Sequence, residues 1–360
     1  MKRVFFSDCE GPISKNDNAF ELTAHFVPEG DKLFSLISKY DDVLADVVKK
    51  HGYSAGSTLK LVLPFLKAYD VTDKKTHEFS AQNLILIAGS KETLKHVMDL
   101  AEVFIVSTSY EHYIKALCET LAFPFQNTYC TKLNIDKYAL TAEDKAKLKE
   151  TAKEIAAMPM MTIPSAAKSL KDLSSKDQET VKRLDDIFWK EIAGMSCGRI
   201  FSEITTVGGE QKAHAIQDAT AKRHVPLSNV MYVGDSITDV EAFKLVKDNG
   251  GLTLSFNGNN YAVKNAEVAV MSDNNIVTAV IADVFLRHGK EQALQVAEAW
   301  NYDSLKRSAV NSTLLDRLFA VYPKALPKLQ IVTKGNMETL TKESSEFRKK
   351  IRGETVGKLG

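Results

Sequence analysis

The chain opens on the apolar run Val4-Phe5-Phe6, which stops at Ser7-Asp8 and is turned away by Gly11-Pro12. A short, near-continuous apolar run of this kind predicts a strand buried on both faces of a parallel sheet. Val103-Phe104-Ile105-Val106, ending in Ser107-Thr108-Ser109, repeats the pattern, as does Val230-Met231-Tyr232-Val233, ending in Gly234-Asp235. The segments 250–257 and 268–271 read as the last strands, and Leu84-Ile85-Leu86-Ile87-Ala88 brings the α/β pattern back before a helix over about 91–100. Each polar tip then falls at the carboxyl end of a strand, where open α/β sheets build their ligand crevices.

Between the strands the period changes to three and four residues. Leu33, Leu36, Ile37, Tyr40, Val43, Leu44 and Val47 form a core-facing stripe, with Asp31, Lys39, Asp42 and Lys49 on the wet side. Residues 15–80 therefore read as a helical insertion directly after the first strand, in which Pro64 is predicted to end or kink a helix. From about 141 to 193 Lys, Glu, Asp and Ala dominate, the pattern of a solvated helical surface, so 136–199 form a second helical insertion. Residues 275–285 close the sheet with a helix. The extension 291–360 is helical in period, and its basic stretch over 342–358 is predicted to fray or to bind a neighbouring protein.

A length of 360 residues suggests two or three domains, and 44% hydrophobic with 26% charged residues is the composition of an ordinary globular protein. The net charge of +1 gives no reason to propose a nucleic-acid partner. Cys9, Cys118, Cys130 and Cys197 form no paired motif, so neither a zinc site nor a disulfide framework is indicated, and a reducing cytoplasm fits. Lys2 and Arg3 precede no signal-like apolar region, and no apolar run is long enough to span a bilayer.

The polar tips carry the candidate chemistry. Asp8, Asp235 and Asp239 converging on one crevice would repel, by roughly 4 kcal/mol per pair at about 4 Å and an effective dielectric of about 20. A divalent cation is the natural remedy, and an all-oxygen site of few carboxylates suits Mg2+ completed by a phosphate oxygen. Ser107 and Thr108 are hydroxyls able to hold a phosphate oxygen, with a helix N-cap as the alternative. Lys212 falls in the first turn of a helix, where a cation opposes the macrodipole; binding of an anionic group or simple solvent exposure would account for it. Asn257, at the end of the 250–257 strand, is a further substrate-binding candidate. His214 has no partner at metal-ligand spacing.

Taken in order, Asp8-Cys9-Glu10, Ser107, Lys212 and Gly234-Asp235-Ser236-Ile237-Thr238-Asp239 resemble the four motifs of the haloacid dehalogenase superfamily, and its phosphoserine-phosphatase-like branch in particular. The resemblance covers 1–14, 81–135 and 200–290, and the opening Asp8-Cys9-Glu10-Gly11-Pro12 is also similar to an archaeal group labelled energy-converting hydrogenase subunit R. It implies an α/β Rossmann-like parallel sheet flanked by helices, with the two helical insertions as caps that exclude water and choose the substrate. It implies a Mg2+-dependent phosphomonoester hydrolase acting on a small phosphorylated metabolite. Asp8 would be the nucleophile and Glu10 the general acid and base, with Ser107 and Lys212 on the phosphoryl oxygens. Asp8, Asp235 and the Glu10 carbonyl would hold the metal, with Asp239 behind them. Glu10 stands where the family's first motif has aspartate, which leaves as the alternative a low-activity or non-catalytic subunit of a larger complex. A two-component receiver also uses Asp, Ser or Thr, and Lys, but in another order along the chain.

Overall fold

The computed structural model describes residues 2–164 and 166–359. Among the described residues seven strands form one sheet: β1 (Val4–Ser7), β2 (Glu102–Tyr110), β3 (Thr128–Thr131), β4 (Val230–Gly234), β5 (Leu252–Phe256), β6 (Val268–Met271) and β7 (Lys328–Ile331). Their spatial order is β3-β2-β1-β4-β5-β6-β7; β1 to β6 run parallel and β7 pairs antiparallel with β6. The apolar runs are continuous because both faces of the sheet are covered. Phe5, Val103, Ile105, Met231 and Val233 face one core, while Val4, Phe6, Phe104, Val106, Val230 and Tyr232 face the other. β1 lies at the centre, between β2 and β4, where the strand order reverses. The carboxyl ends of β1 and β4 therefore open onto the topological switch point at which α/β sheets bind ligands.

The helical insertions do not form two separate layers. Leu33, Leu36, Ile37 and Tyr40, from the helix Gly30–Asp42, share one core with Leu148, Ile155, Leu184 and Phe188 from the second insertion. The Trp189 indole N–H donates to the Tyr40 hydroxyl (2.8 Å), which donates to Asp185 (2.5 Å). All seven residues of the predicted stripe are buried, the last three on the π-helical stretch Val43–Val47. This joint lobe stands over the carboxyl end of the sheet.

Three expectations need correction. The helix Thr58–Ala68 runs on through Pro64, which is buried in it. Leu84–Ala88 is not a strand: Ile85 is exposed, and the segment makes only isolated bridges, Leu86 to Ser14 and Ala88 to Asn274. The C-terminal extension is neither wholly helical nor frayed. It adds β7 to the sheet, and the helix Met337–Arg352 docks on the core, with Leu340 buried against Val263 and Met271. The Ser344 hydroxyl of that helix donates to the Gly258 carbonyl (2.6 Å).

Candidate active site

Asp8 follows the last residue of β1, and its backbone N–H still donates to Val233 O of β4 (2.8 Å). The parallel ladder thus fixes the direction of the side chain. One Asp8 oxygen accepts from the Cys9 N–H (2.6 Å) and the other from the Lys212 ammonium (2.6 Å). The next turn brings Gly11 against Asp235 with φ +105°; a Cβ there would lie 2.0 Å from Asp235 Oδ2, so glycine is required on both counts. Asp8, Asp235 and Asp239 each offer an oxygen within 4.8 Å of the others, and all three are buried.

Asp239 faces inward from that cluster. Its Oδ1 takes the Lys212 ammonium (2.7 Å) and the Tyr232 hydroxyl (2.6 Å), and its Oδ2 takes the N–H groups of Asp235 (2.8 Å) and Ser236 (2.9 Å). Burial works to raise its pKa, but Lys212 and these donors outweigh burial and hold it below the ordinary value. With both oxygens committed, Asp239 orients the turn after β4 and the lysine. The anionic group that justifies a cation in the first turn of the helix Glu210–Arg223 is this pair of carboxylates. Burial works to lower the Lys212 pKa, and Asp239 and Asp8 hold it above normal.

A cleft of about 90 Å³ lies between the lobe and the sheet, lined among others by Asp8, Glu10, Ser107, Thr108, Asp235 and Arg348. Ser107 is buried in β2 just before a register irregularity and accepts from the Ser109 N–H (3.2 Å). The Thr108 hydroxyl donates to Val207 O (3.1 Å). Glu10 accepts from the Asn18 N–H (2.7 Å); burial, then the nearby Asp17 charge, pushes its carboxyl well above the usual range, toward the protonated form. Burial also pushes Asp8 up to about 8, against the pull of Lys212. Asn257 is not brought to the cleft: its side chain is spent on the backbone of Ser272, donating to O (2.7 Å) and accepting from N (2.9 Å).

The donors fit a hard divalent cation. Asp8 and Asp235 present oxygens alone, and positive charge between them would offset the burial that disfavours the ionised form of Asp8. Glu10 keeps its side chain out of this cluster, which leaves only its backbone carbonyl as a donor.

Four further residues reach the cleft. Asp17 caps the helix Asn18–Phe26, accepting from the Phe20 N–H (3.0 Å). Asp41 gathers the lobe's 56–58 turn by accepting from Gly56 N (2.9 Å), Thr58 N (3.1 Å) and Thr58 Oγ1 (2.9 Å). Arg348 and Arg352 come from the C-terminal helix and both donate to Asp235 Oδ2, Arg352 at 3.2 Å. An Asp before a helix is a readable cap signal. The arginines, at i and i+4, show in the sequence only as one face of a basic helix.

A family model described as haloacid dehalogenase-like hydrolase matches residues 71–283. A structure of a gene product from Archaeoglobus fulgidus is similar over 100% of this chain and 99% of its own, at 24% identity and a TM-score of 0.80. A substrate-bound phosphoserine phosphatase complex aligns over 76% of this chain and 95% of its own, at 12% identity and a TM-score of 0.46. Among curated proteins there is no match. No helix among the described residues is long and apolar enough to cross a membrane.

Proposed function

Since the chain belongs to the haloacid dehalogenase-like hydrolases, we propose that it is a Mg2+-dependent phosphomonoester hydrolase that works through an aspartyl phosphate on Asp8. The observation that carries this reading is the placement of Asp8 at the tip of the central strand, held by Lys212 at 2.6 Å and lining one cleft with Glu10, Ser107 and Thr108.

An Asp8 oxygen attacks phosphorus, and the bond from phosphorus to the ester oxygen breaks. Glu10, kept protonated by its burial, gives its proton to the leaving oxygen. Glu10 then takes a proton from the water that attacks phosphorus, the bond to Asp8 breaks, and phosphate leaves. Ser107 presents its hydroxyl to a phosphoryl oxygen, the Thr108 hydroxyl proton being given to Val207 O, while Lys212, enclosed behind Asp8, orients the nucleophile and stabilises charge developing beside it. Asp8, Asp235 and the Glu10 carbonyl would hold a divalent ion, which supplies Lewis-acid polarisation of the phosphoryl group and neutralises charge in the transition state. The lobe limits the substrate to a small phosphorylated metabolite.

The test is phosphate release from an aryl phosphate and a metabolite panel, with Mg2+ and after chelation. The wild type should turn over only with the metal, Asp8→Asn should release none, and Glu10→Gln should lose about 10²- to 10⁴-fold in kcat. Retained turnover in Asp8→Asn rejects the mechanism. No release from any ester in the presence of Mg2+ moves the assignment to a non-catalytic subunit that keeps the fold.

A further inference from the structure

The C-terminal segment crosses the cleft from one lobe to the other. The helix Met337–Arg352 is anchored on the sheet side by Leu340 and Ser344. Beyond Gly353 the chain reaches the helical lobe, where Leu359 is buried in that lobe's core and Val356 packs against it. Between these anchors, Arg348 and Arg352 enter the cleft with side chains only 3% and 4% exposed.

Both guanidinium groups are directed at Asp235. Arg348 Nη1 donates to Asp235 Oδ2 and to its backbone oxygen (3.3 Å). Arg352 Nη1 donates to the same Oδ2, and its other nitrogens hold the strand-exit loop, Nε on Lys15 O (2.9 Å) and Nη2 on Asn16 O. Arg348 Nε is buried with no partner. That guanidinium is therefore held chiefly by one carboxylate, with its donor capacity incompletely used. The cleft is lined by the carboxylates of Asp8, Glu10, Asp17, Asp41, Asp42 and Asp235, against which these two arginines are the lining cations.

We propose that the C-terminal segment is a strap locked by its own cations, and that a divalent ion releases it. Arg348 and Arg352 both donate to one oxygen of the Asp235 carboxylate, on which a metal shared by Asp8 and Asp235 would also draw, so docking of the strap and metal loading compete. This rests on the metal-dependent reading of the site given above. A small divalent ion bound to Asp235 repels a guanidinium held on the same carboxylate, and the two compete for it. Arg348, already short of partners, gives way first. The strap then loosens, and with it the tie that holds the helical lobe over the cleft. In the metal-free protein the arginines keep the buried Asp235 charge compensated, so the fold tolerates the site before loading.

The experiment is hydrogen exchange of the full-length protein across residues 345–359 during a Mg2+ titration, with binding measured in parallel by calorimetry. Exchange of this segment should rise by about tenfold or more as the metal saturates, while the strands of the sheet stay protected. Arg348→Gln should bind Mg2+ about tenfold or more tightly. Lys350→Gln, which removes the same charge from the exposed face of the same helix, should bind as the wild type does. Mg2+ binding that leaves exchange at 345–359 unchanged or slower overturns the proposal and leaves the proposed function standing. So does an Arg348→Gln affinity no higher than that of Lys350→Gln. Absence of Mg2+ binding by every protein overturns both. The wild-type exchange measurement decides the question even if Arg348→Gln does not fold.

Discussion

Replacing Lys212 with methionine keeps most of the length of the side chain and removes the ammonium group from between two enclosed carboxylates. Lys212 Nζ lies 2.6 Å from Asp8 and 2.7 Å from Asp239, and the lysine has no exposed surface. At an effective dielectric of about 20, each of these contacts corresponds to roughly 6 kcal/mol of Coulomb attraction, most of it offset by the cost of taking the charges out of water. The net loss comes from what is left behind, chiefly the buried Asp239 charge without its cation, which places Lys212→Met in the range of about 3 to 5 kcal/mol. Urea unfolding at pH 7, followed by tryptophan fluorescence, measures it. Lys222→Met is the control, on the same helix, where an exposed pair with Asp218 should be worth at most about 1 kcal/mol. Lys212→Met/Asp239→Asn should recover part of the loss, since the stranded Asp239 charge is gone. A Lys212→Met variant no less stable than Lys222→Met would refute the claim that the lysine is the keystone of a buried charge cluster.

Two further outcomes test neighbouring parts of the structure. Burial pushes the Glu21 carboxyl from 4.5 up to about 7, although both of its oxygens accept from the Asn16 amide. The folded state therefore binds more protons than the unfolded chain between these values; the Glu21 contribution is fully present below about pH 4.5 and is lost as pH rises through about 7. Glu21→Gln should flatten that part of the stability profile measured by urea midpoints at pH 5 and pH 8, and an unchanged slope would contradict it. Phe188 is fully buried and stacks on Tyr40 (5.7 Å between ring centres), so Phe188→Ala should cost about 3 to 5 kcal/mol. Limited proteolysis should then cut in both 18–83 and 133–204; cleavage confined to the second segment would show that the insertions do not share a core.

The sequence by itself determined the five inner strands of the sheet and its acidic end, but not the edge strands β3 and β7. An apolar run that stops at a polar residue carries its meaning locally: it must be buried on both faces, and its polar tip must come out at an end. Asp8, Ser107 and Asp235 could be placed for that reason, and the helical stripe from Leu33 to Val47 by its period alone. Local patterning also misled. Leu84–Ala88 has the composition of a strand, but its backbone meets only single bridges to Ser14 and Asn274, since β1 already has β2 and β4 on its two sides. Pro64 stayed within its helix because burial of the surrounding leucines outweighed one missing hydrogen bond.

What only the tertiary structure decided is who faces whom. Asn257 had the right position at a strand end, yet the loop after β6 came close enough to claim its amide. Asp239 follows Asp235 by four residues, and only the fold shows that Lys212 and Tyr232 meet at its Oδ1. Arg348 is 113 residues from the Asp235 it binds, and a pair of arginines four apart on an amphipathic helix reads the same whether water or a carboxylate lies opposite. Burial of an apolar side chain can be inferred from its neighbours in the chain, because any apolar surface will satisfy it. A charge needs one particular partner at one distance, and that is fixed only when the chain has closed.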